Sequence, residues 1–334
     1  MLTARPLFPT LADTRYFVWT DAALGLRDAL LLGRNTLLLG GRGSGRTSLL
    51  HMVEHSLRET EARPVAFASL AAATDPAEAI LTLHRAAVDA EWVPPLEDDA
   101  ARAVADRDEP FAPTAVLRRL RYCPPRSILL VDDVGARVGA ALFGRLRDEL
   151  WQLPPKWAVA PVADEAGPLL TPPADAFFER RIEIAKLTPD VAYQMLRLRT
   201  KRGSDRLPSE AARALADAGA ATPRALLALA RDMRDQDLDA GALVEAKRRR
   251  LRAAEAAAGQ PGAAVVAEMD GLEPINAADP RLLDRLGWDR PRLARTLAKL
   301  EDGGVLRSYL EPREGQIGRR RKLYALKPLT DFAA

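Results

Sequence analysis

Residue types suited to holding a phosphate stand together in Thr36-Leu37-Leu38-Leu39-Gly40-Gly41-Arg42-Gly43-Ser44-Gly45-Arg46-Thr47-Ser48. A short apolar run stops at a glycine-rich turn, and the turn opens into a segment of helical periodicity. The frame is G-x-x-x-x-G-[basic]-[ST], with Gly40 and Gly45 at its outer positions. Glycine belongs there because the loop must curl with its N–H groups inward, where a Cβ would block a phosphate. A helix starting near Arg46 adds unpaired N–H groups and a positive dipole end. Gly40, Gly41, Gly43, Ser44, Gly45, Arg46, Thr47 and Ser48 are therefore the candidate nucleotide-binding residues, and the Thr47 hydroxyl is a candidate Mg²⁺ ligand. Position 46 departs from the usual frame, which has lysine. A guanidinium is flat and directional, whereas an ammonium is a compact point charge. The spacing predicts phosphate binding; hydrolysis stays open. A glycine turn with no ligand is the plain alternative, and the strand–loop–helix context on both sides argues against it.

A second constellation is Ile128-Leu129-Leu130-Val131-Asp132-Asp133. Four consecutive apolar residues, bounded by Pro124-Pro125 before and two acids after, describe a central parallel strand buried on both faces. Two carboxylates at the end of such a strand are costly unless a cation sits nearby. With the glycine loop upstream, that cation is Mg²⁺. Asp132 is expected to hold it through water and Asp133 to orient an attacking water, which makes Asp133 and Arg46 the candidate catalytic pair. A strand that ends in a solvated Asp-Asp turn is the bland reading. The two motifs together favour chemistry.

The chain has 334 residues, room for two or three domains, and its 48% hydrophobic and 28% charged content is ordinary for a globular protein. It lacks an uninterrupted apolar run long enough to span a bilayer, and its first residues lack the apolar core of a signal peptide. Cys123 is alone, so no internal disulfide can form. His51 and His55 share a helix face at i, i+4, and read as a core or solvent pair rather than a metal site. A cytoplasmic protein with no metal besides Mg²⁺ is the expectation. Net charge is +3, but from Arg281 onward 13 Lys+Arg face 7 Asp+Glu, leaving +6 there and −3 elsewhere. A basic end on a nearly neutral body suggests an anionic partner.

The elements that must position these groups follow in order. A helix is expected around Ala22–Leu32, preceded by Tyr16, Phe17 and Val18, which suit apolar cover for a base and core packing equally well. A strand over Pro64–Ala68 precedes a helix capped by Asp75, with Pro76 first and Glu78 at the capping-box position. Glu91–Pro113 is acidic and proline-rich and reads as an excursion. A helix over Ala140–Trp151, a strand over Trp157–Val162 with Asp164 just beyond it, and a strand over Phe177–Ile184 complete an α/β pattern. From Leu187 the periodicity is helical. Thr188 and Ser209 serve as caps, Ala192, Met195, Leu196 and Leu198 lie on the first helix, and Thr222-Pro223-Arg224 opens a third. Arg224 sits at that helix's positive end, so the dipole does not account for it. The basic run Lys247–Arg252 merges into an Ala-rich stretch, and Gly259–Gly262 reads as a linker.

Beyond it, Ala263–Met269 and Arg281–Leu286 are short amphipathic helices. Asp289 caps a third, with Leu293, Leu297 and Leu300 inward and Arg292, Arg295, Thr296 and Lys299 outward. Val305–Leu310 and Lys322–Leu326 read as strands around a polar turn. Three helices and a basic-tipped hairpin describe a winged helix-turn-helix. Its third helix would enter the DNA major groove, and Arg319, Arg320, Arg321 and Lys322 would meet phosphates. Such domains also dock proteins.

This order of parts resembles AAA+ ATPases of the origin-recognition and Cdc-initiator type. The resemblance covers nearly the whole chain, and is one of architecture. It implies an α/β P-loop NTPase domain with a parallel sheet (1–186), an α-helical lid (187–258) and a C-terminal winged helix (263–334). It also implies ATP and Mg²⁺ as cofactors, with double-stranded DNA and a homo-oligomer or partner ATPase as partners. On it, Gly40–Thr47 bind phosphate and metal, Asp132 supports the metal, Asp133 matches the catalytic acid, and Arg224 matches the lid residue that touches the γ-phosphate. Three positions depart from that family: Arg46 replaces lysine, Asp164 stands where Asn, Ser or Thr is usual, and no arginine finger is clear, Arg180 and Arg181 lying too near the strand. A rival of another class is the STAND type of signalling protein, whose winged helix docks protein and holds an autoinhibited state. A regulator whose nucleotide is purely structural is the third reading.

Overall fold

The computed structural model describes residues 2, 5–97, 112–162, 165–200, 207–218, 222–235, 239–269, 274–311 and 321–332. It divides into two compact units, one of residues 5–198 with 221–224, the other of residues 1–4, 199–220 and 225–334.

The first unit is built on a five-stranded parallel sheet. Its strands are β1 (Thr36–Leu39), β2 (Val65–Ser69), β3 (Ile128–Val134), β4 (Lys156–Pro161) and β5 (Arg180–Glu183), in the order β2-β3-β4-β1-β5. The helices between them are α1 (Leu11–Thr14), α2 (Asp21–Leu31), α3 (Arg46–Glu59), α4 (Pro76–Asp89), α5 (Ala112–Arg119), α6 (Ala136–Gly139), α7 (Arg147–Trp151) and α8 (Gly167–Leu170). The central strands β1, β3 and β4 are buried on both faces because their middle positions are apolar. Leu37, Leu129, Val131, Trp157 and Val159 point into one cluster with α4 and α5. Leu38, Ile128, Leu130 and Ala158 point into the other with α2 and α3. Burying each of these larger side chains contributes about 1.5–3 kcal/mol. The Asp75 carboxylate accepts from the N–H groups of Ala77 and Glu78 and starts α4. Glu78 accepts from the Thr74 N–H.

Several local expectations shift. The helix expected from Ala140 begins at Ala136 and runs through a π-helical turn over Ala140–Arg145. Phe177 ends a 3₁₀ turn instead of starting a strand, and β5 begins at Arg180. Those aromatic residues fill the core, with Phe143, Trp157, Phe177 and Phe178 in mutual ring contact. Most of the acidic excursion, and Asp164, lie outside the described residues.

Helical segments follow: α9 (Pro189–Thr200), α10 (Ser209–Asp217), α11 (Pro223–Asp235) and α12 (Ala240–Met269). Pro208, not Ser209, is the cap of α10, because Ser209 already has helical geometry. Leu198 is exposed on α9, whereas Ala192 and Leu196 are buried. Lys247 of α12 pairs with Asp232 of α11 at 2.8 Å. The linker expected at Gly259–Gly262 is a break at one residue: Gly259 has φ 67 and ψ −163, and helix resumes immediately. Ala254, before the break, packs in the same cluster as Val265, Leu293, Leu297 and Leu326 beyond it.

That cluster is the core of a winged helix. It is formed by the end of α12, α13 (Pro280–Leu286), α14 (Arg290–Asp302) and the antiparallel hairpin β6 (Leu306–Glu311) and β7 (Arg321–Leu326). Asp289 accepts from the Arg292 N–H at 2.8 Å and caps α14. Gly303 allows the end of α14 to approach α12, since a Cβ there would lie 2.4 Å from the Ala257 Cβ. Ile275 adds a bridge to Tyr324 of β7. Among the described residues, no helix is long and apolar enough to cross a membrane.

Candidate nucleotide site

The glycine loop leaves the carboxyl end of β1 and opens into α3. Gly43 and Gly45 have φ of 76 and 91, left-handed values that other residues adopt at a cost. Gly40 has no such φ, but a Cβ on it would lie 2.6 Å from Ser44 Oγ and 3.3 Å from Arg46 Cγ. Gly41 is different, with open space around its Cα. Ser44 Oγ is buried and has no hydrogen-bond partner among the described residues. The loop thus has the features of a cradle: glycines where a side chain would fill it, and an unsatisfied hydroxyl within it.

Thr47, in the first turn of α3, meets the end of β3. Its hydroxyl donates to Asp132 Oδ2 at 2.6 Å. Asp132 is 1% exposed, and its other oxygen accepts from the Asp133 N–H at 3.0 Å. A carboxylate this buried is tolerable only because both oxygens are satisfied. Asp133 is half-buried with φ 54, a left-handed value, where the β3–β4 register shifts between Val131 and Val134. Burial pushes its carboxyl up from the ordinary value, the Asp132 charge pushes the same way, and the Arg46 charge opposes both.

Arg46 points its guanidinium at the carboxyl end of β4, where Nη1 donates to the Pro161 carbonyl. Residues 221–224 belong to the sheet unit, and there the Arg224 N–H donates to the Gly43 carbonyl at 3.3 Å. A Cβ on Gly43 would lie 2.9 Å from Arg224 Cβ. The structure therefore brings Gly40, Gly43, Ser44, Gly45, Arg46, Thr47, Asp132, Asp133 and Arg224 to the carboxyl ends of β1, β3 and β4. Arg180 and Arg181 are the first two residues of β5 and exposed, Arg181 lying 3.8 Å from Asp175.

Ser48, expected among the nucleotide-binding residues, has a backbone partner, and two further participants, the Pro161 carbonyl and Glu165, carry no sequence motif. Ser48 Oγ accepts from the Leu7 N–H at 3.0 Å, tying the N-terminal segment to the first turn of α3. That segment is locked by Arg5, which makes two hydrogen bonds to buried Asp13 at 2.6 and 2.9 Å. The Pro161 carbonyl is a backbone group, which sequence cannot flag. Glu165 accepts from the Ala136 N–H at 2.7 Å and links the loops after β3 and β4. The only available signal was the Thr10-x-x-Asp13 spacing, a short cap. His51 is a core residue, its ring tilted against Phe67 at a centroid distance of 4.2 Å and bonded to Glu54 at 3.0 Å.

In the winged helix, Arg292, Arg295 and Lys299 are exposed on α14. The Arg292 guanidinium lies over the Trp288 ring at 4.2 Å, and Arg295 Nε donates back to the Pro291 carbonyl at 3.3 Å. Thr296, expected outward, is buried, because its hydroxyl donates to the Arg292 carbonyl one turn back and turns its methyl inward. Lys322 Nζ donates to Glu301 at 2.6 Å. Arg319 and Arg320 lie outside the described residues, as does the side chain of Arg321, whose backbone pairs with Glu311 in the hairpin.

No protein-family model matches the sequence, and no curated protein does. Among solved structures, the chain is similar to a Walker-type ATPase of Pyrococcus abyssi (TM-score 0.51, 17% identity, covering 100% of this chain and 99% of that one). It is also similar to the ORC1 protein of Aeropyrum pernix in complex with DNA (TM-score 0.48, 15% identity, 98% and 96% covered). A third is the Thermotoga maritima RuvB Holliday junction branch migration motor (TM-score 0.43, 16% identity, 92% and 93% covered). The sheet order, the loop after β1 and the first of these likenesses agree on one fold: an α/β P-loop fold with a five-stranded parallel sheet, followed by further helices and a winged helix.

Proposed function

We propose that this chain is a nucleotide-switched P-loop protein that binds ATP with Mg²⁺, hydrolyses it slowly or not at all, and couples the bound state to double-stranded DNA binding by the winged helix. The observation that carries the nucleotide reading is the Thr47–Asp132 contact at 2.6 Å beneath a loop that excludes side chains at Gly40 and Gly43. A hydroxyl and a carboxylate already in contact are the donor set a hard divalent cation takes. Bound Mg²⁺ supplies charge neutralisation on the terminal phosphates. The loop N–H groups and Ser44 then bind phosphate, Thr47 and Asp132 hold the metal, Asp133 orients water, and Arg224, beside Gly43, meets the terminal phosphate. Arg46 is the reason for slow turnover, because a guanidinium fits the transferring phosphoryl group poorly. The three-part division (1–186, 187–258, 263–334) and self-association, or association with a second ATPase, belong to the same proposal.

The DNA reading rests on Arg292, Arg295 and Lys299, exposed on the helix a winged helix presents to the major groove. A protein-docking winged helix, as in a signalling switch, is the second reading. Exposed Tyr309 and Leu310 on β6 and the pairing of Lys322 with Glu301 favour it. The test is fluorescence anisotropy of the full chain on mixed-sequence duplexes from low to physiological salt, with and without Mg-ATP. Changing Arg319, Arg320 and Arg321 to Ala is expected to weaken binding on all sequences and flatten the log K–log salt slope by up to roughly 2.7. Arg295→Ala is expected to shift base preference by about 1–3 kcal/mol, and Thr296→Val to leave it unchanged. Absence of binding at low salt would put the docking reading first.

A further inference from the structure

We propose that the amino-terminal end of the parallel sheet, opposite the glycine loop, is a surface for single-stranded nucleic acid. The observation behind it is a row of four cations. Arg63 stands just before Val65 of β2 and Arg126 just before Ile128 of β3, and Val65 and Ile128 are paired. Lys156 begins β4 opposite Ile128, and Arg34 stands just before Thr36 of β1, which pairs with Ala158. The ladder reaches these ends: the Ile128 N–H donates to the Pro64 carbonyl and the Lys156 N–H to the Ser127 carbonyl, both at 2.9 Å. A Cβ on Gly33 would lie 3.8 Å from Lys156 Cε, so the lysine stem passes the turn that carries Arg34. Neighbouring strands lie about 4.8 Å apart, so the four positions cross about 15 Å of sheet edge.

Arg34 and Arg126 are exposed, Arg63 and Lys156 half-buried. Among the described residues, none of the four side chains makes an ion pair or a hydrogen bond. That sets them apart, because Arg27, Arg58, Arg147 and Arg181 of the same unit each hold an acid. The segments entering the five strands (32–35, 60–64, 120–127, 152–156 and 178–179) carry five cations and two acids, Glu61 and Glu179. Glu179 stands at the β5 end, beyond Arg34, and its carboxylate accepts from the Asn35 N–H at 2.7 Å. Glu61, with Glu59 just before it, makes the β2 end the least positive.

Arg126 shows that charge is kept there at a cost. The Ser127 N–H donates to the Pro124 carbonyl at 3.2 Å and closes a turn with Pro125 and Arg126 at its centre. Arg126 has φ 60, the left-handed value that such a turn asks of glycine. Strain under a side chain with no partner among the described residues points to a partner outside the chain.

The chemistry of that partner follows from what flanks the row. Tyr122 and Trp151 are 61% and 48% exposed, on the segments entering β3 and β4. Their neighbours Leu120, Cys123 and Leu150 lie in one cluster, so both rings emerge on the same face of the sheet. The Arg121 guanidinium lies over the Tyr122 ring and that of Arg147 over the Trp151 ring, each at 4.7 Å. Rings and guanidinium planes are platforms for unstacked bases, and cations beside them track phosphates. A duplex, with its bases stacked inside, would use only the cations.

The test is fluorescence anisotropy of the full chain with labelled oligo-dT, oligo-rU and a mixed-sequence duplex, from low to physiological salt. A row variant (Arg34→Ala, Arg63→Ala, Lys156→Ala and Arg126→Gly) is compared with a winged-helix variant (Arg292→Ala, Arg295→Ala and Lys299→Ala). The winged-helix variant is expected to keep single-strand binding. The row variant is expected to lose it, the log K–log salt slope flattening by up to about 2.8, or about 0.7 for each phosphate contact. Tyr122→Leu is expected to weaken single-strand binding about 5- to 150-fold, the loss of one stacked base, and to leave the duplex unchanged. Arg126→Gly alone separates binding from folding: relief of the left-handed φ should raise the melting temperature while single-strand affinity falls several-fold. Binding of either oligonucleotide in this pattern supports the proposal, and the tighter one names the sugar. Single-strand binding that survives in the row variant would overturn it. So would a row that binds duplex as tightly as single strand and ignores Tyr122→Leu. Absence of single-strand binding by wild type at low salt would also overturn it, and would leave the row to an acidic protein.

Discussion

The glycine loop and the winged helix are both proposed to meet polyanions, and they are built in opposite ways. The loop works through its backbone. Gly43 and Gly45 hold left-handed φ values, Gly40 lies against Ser44 and Arg46, and α3 starts at once. These are features of the backbone itself, set by the fold and not by a side chain's choice of partner. The winged helix works through long side chains, and three of them are already engaged within the protein: Arg292 on Trp288, Arg295 on the Pro291 carbonyl and Lys322 on Glu301. An anion arriving there competes with internal partners. A backbone site is set by folding, whereas a side-chain site is a balance that single substitutions can tilt.

The largest effect should come from breaking the backbone site. Gly43→Ala forces φ 76 on a residue with a Cβ and places that Cβ 2.9 Å from Arg224 Cβ. The conformation alone costs about 1–2 kcal/mol, and nucleotide binding should be lost with it. In wild type, ATP at 100 times its Kd should add about 2.7 kcal/mol of stability. Thermal unfolding with and without Mg-ATP measures both terms. Gly41→Ala is the control, since open space surrounds that position, and it should keep most of the ATP-dependent shift. Equal behaviour of the two variants would mean that the loop is a plain turn.

This difference in mechanism also explains what could be read from the sequence. Glycine spacing, a doubled acid after four apolar residues and a cap before an apolar stripe are backbone requirements written as residue types. They place the loop, β3 and α14 correctly. Thr296 was misplaced because periodicity knows only polarity, and a threonine that bonds its own helix carbonyl can turn its methyl inward. The partners of Arg46 and Lys322 were invisible for a related reason. One is a carbonyl and the other an acid 21 residues away, and a flexible cation's choice among acceptors follows from tertiary placement.

A smaller effect is expected at Asp133, where backbone and side chain both matter. Its carboxyl is raised above the ordinary 3.8, first by burial and then by Asp132. A raised acid binds its proton more readily in the folded chain than in the unfolded one. Its contribution is therefore fully present below about pH 3.8 and is lost as pH rises through the folded value. In metal-free buffer, Asp133→Asn should be more stable than wild type at pH 7, with the gap narrowing toward pH 4. Asparagine also tolerates the left-handed φ 54, which adds a part that does not vary with pH. Paired melting curves from pH 4 to 8 check this. A gap that widens toward acid would show that attraction to Arg46 outweighs burial.

The smallest effect, and the one that bears most directly on the comparison, concerns Glu301. Its carboxylate accepts from Lys322 Nζ at 2.6 Å and also from the Ser308 hydroxyl, so the end of α14 holds the first residues of β7. Both hydrogen bonds hold the Glu301 carboxyl below its ordinary value, the Lys322 bond more strongly. Glu301→Gln keeps an acceptor for Ser308, removes the charge that retains Lys322 and takes one negative charge from the face proposed to meet DNA. An exposed pair of this kind is worth only about 0.2–1 kcal/mol, so the melting temperature should hardly move. DNA affinity at low salt should rise on every duplex, and the log K–log salt slope should steepen by up to about 0.9, the value of one added phosphate contact. Weaker binding together with a clearly lower melting temperature would mean that Glu301 braces the hairpin and that the wing, like the loop, is set by folding. An unchanged slope with intact binding would place Lys322 off the DNA path and leave α14 to carry the contact alone.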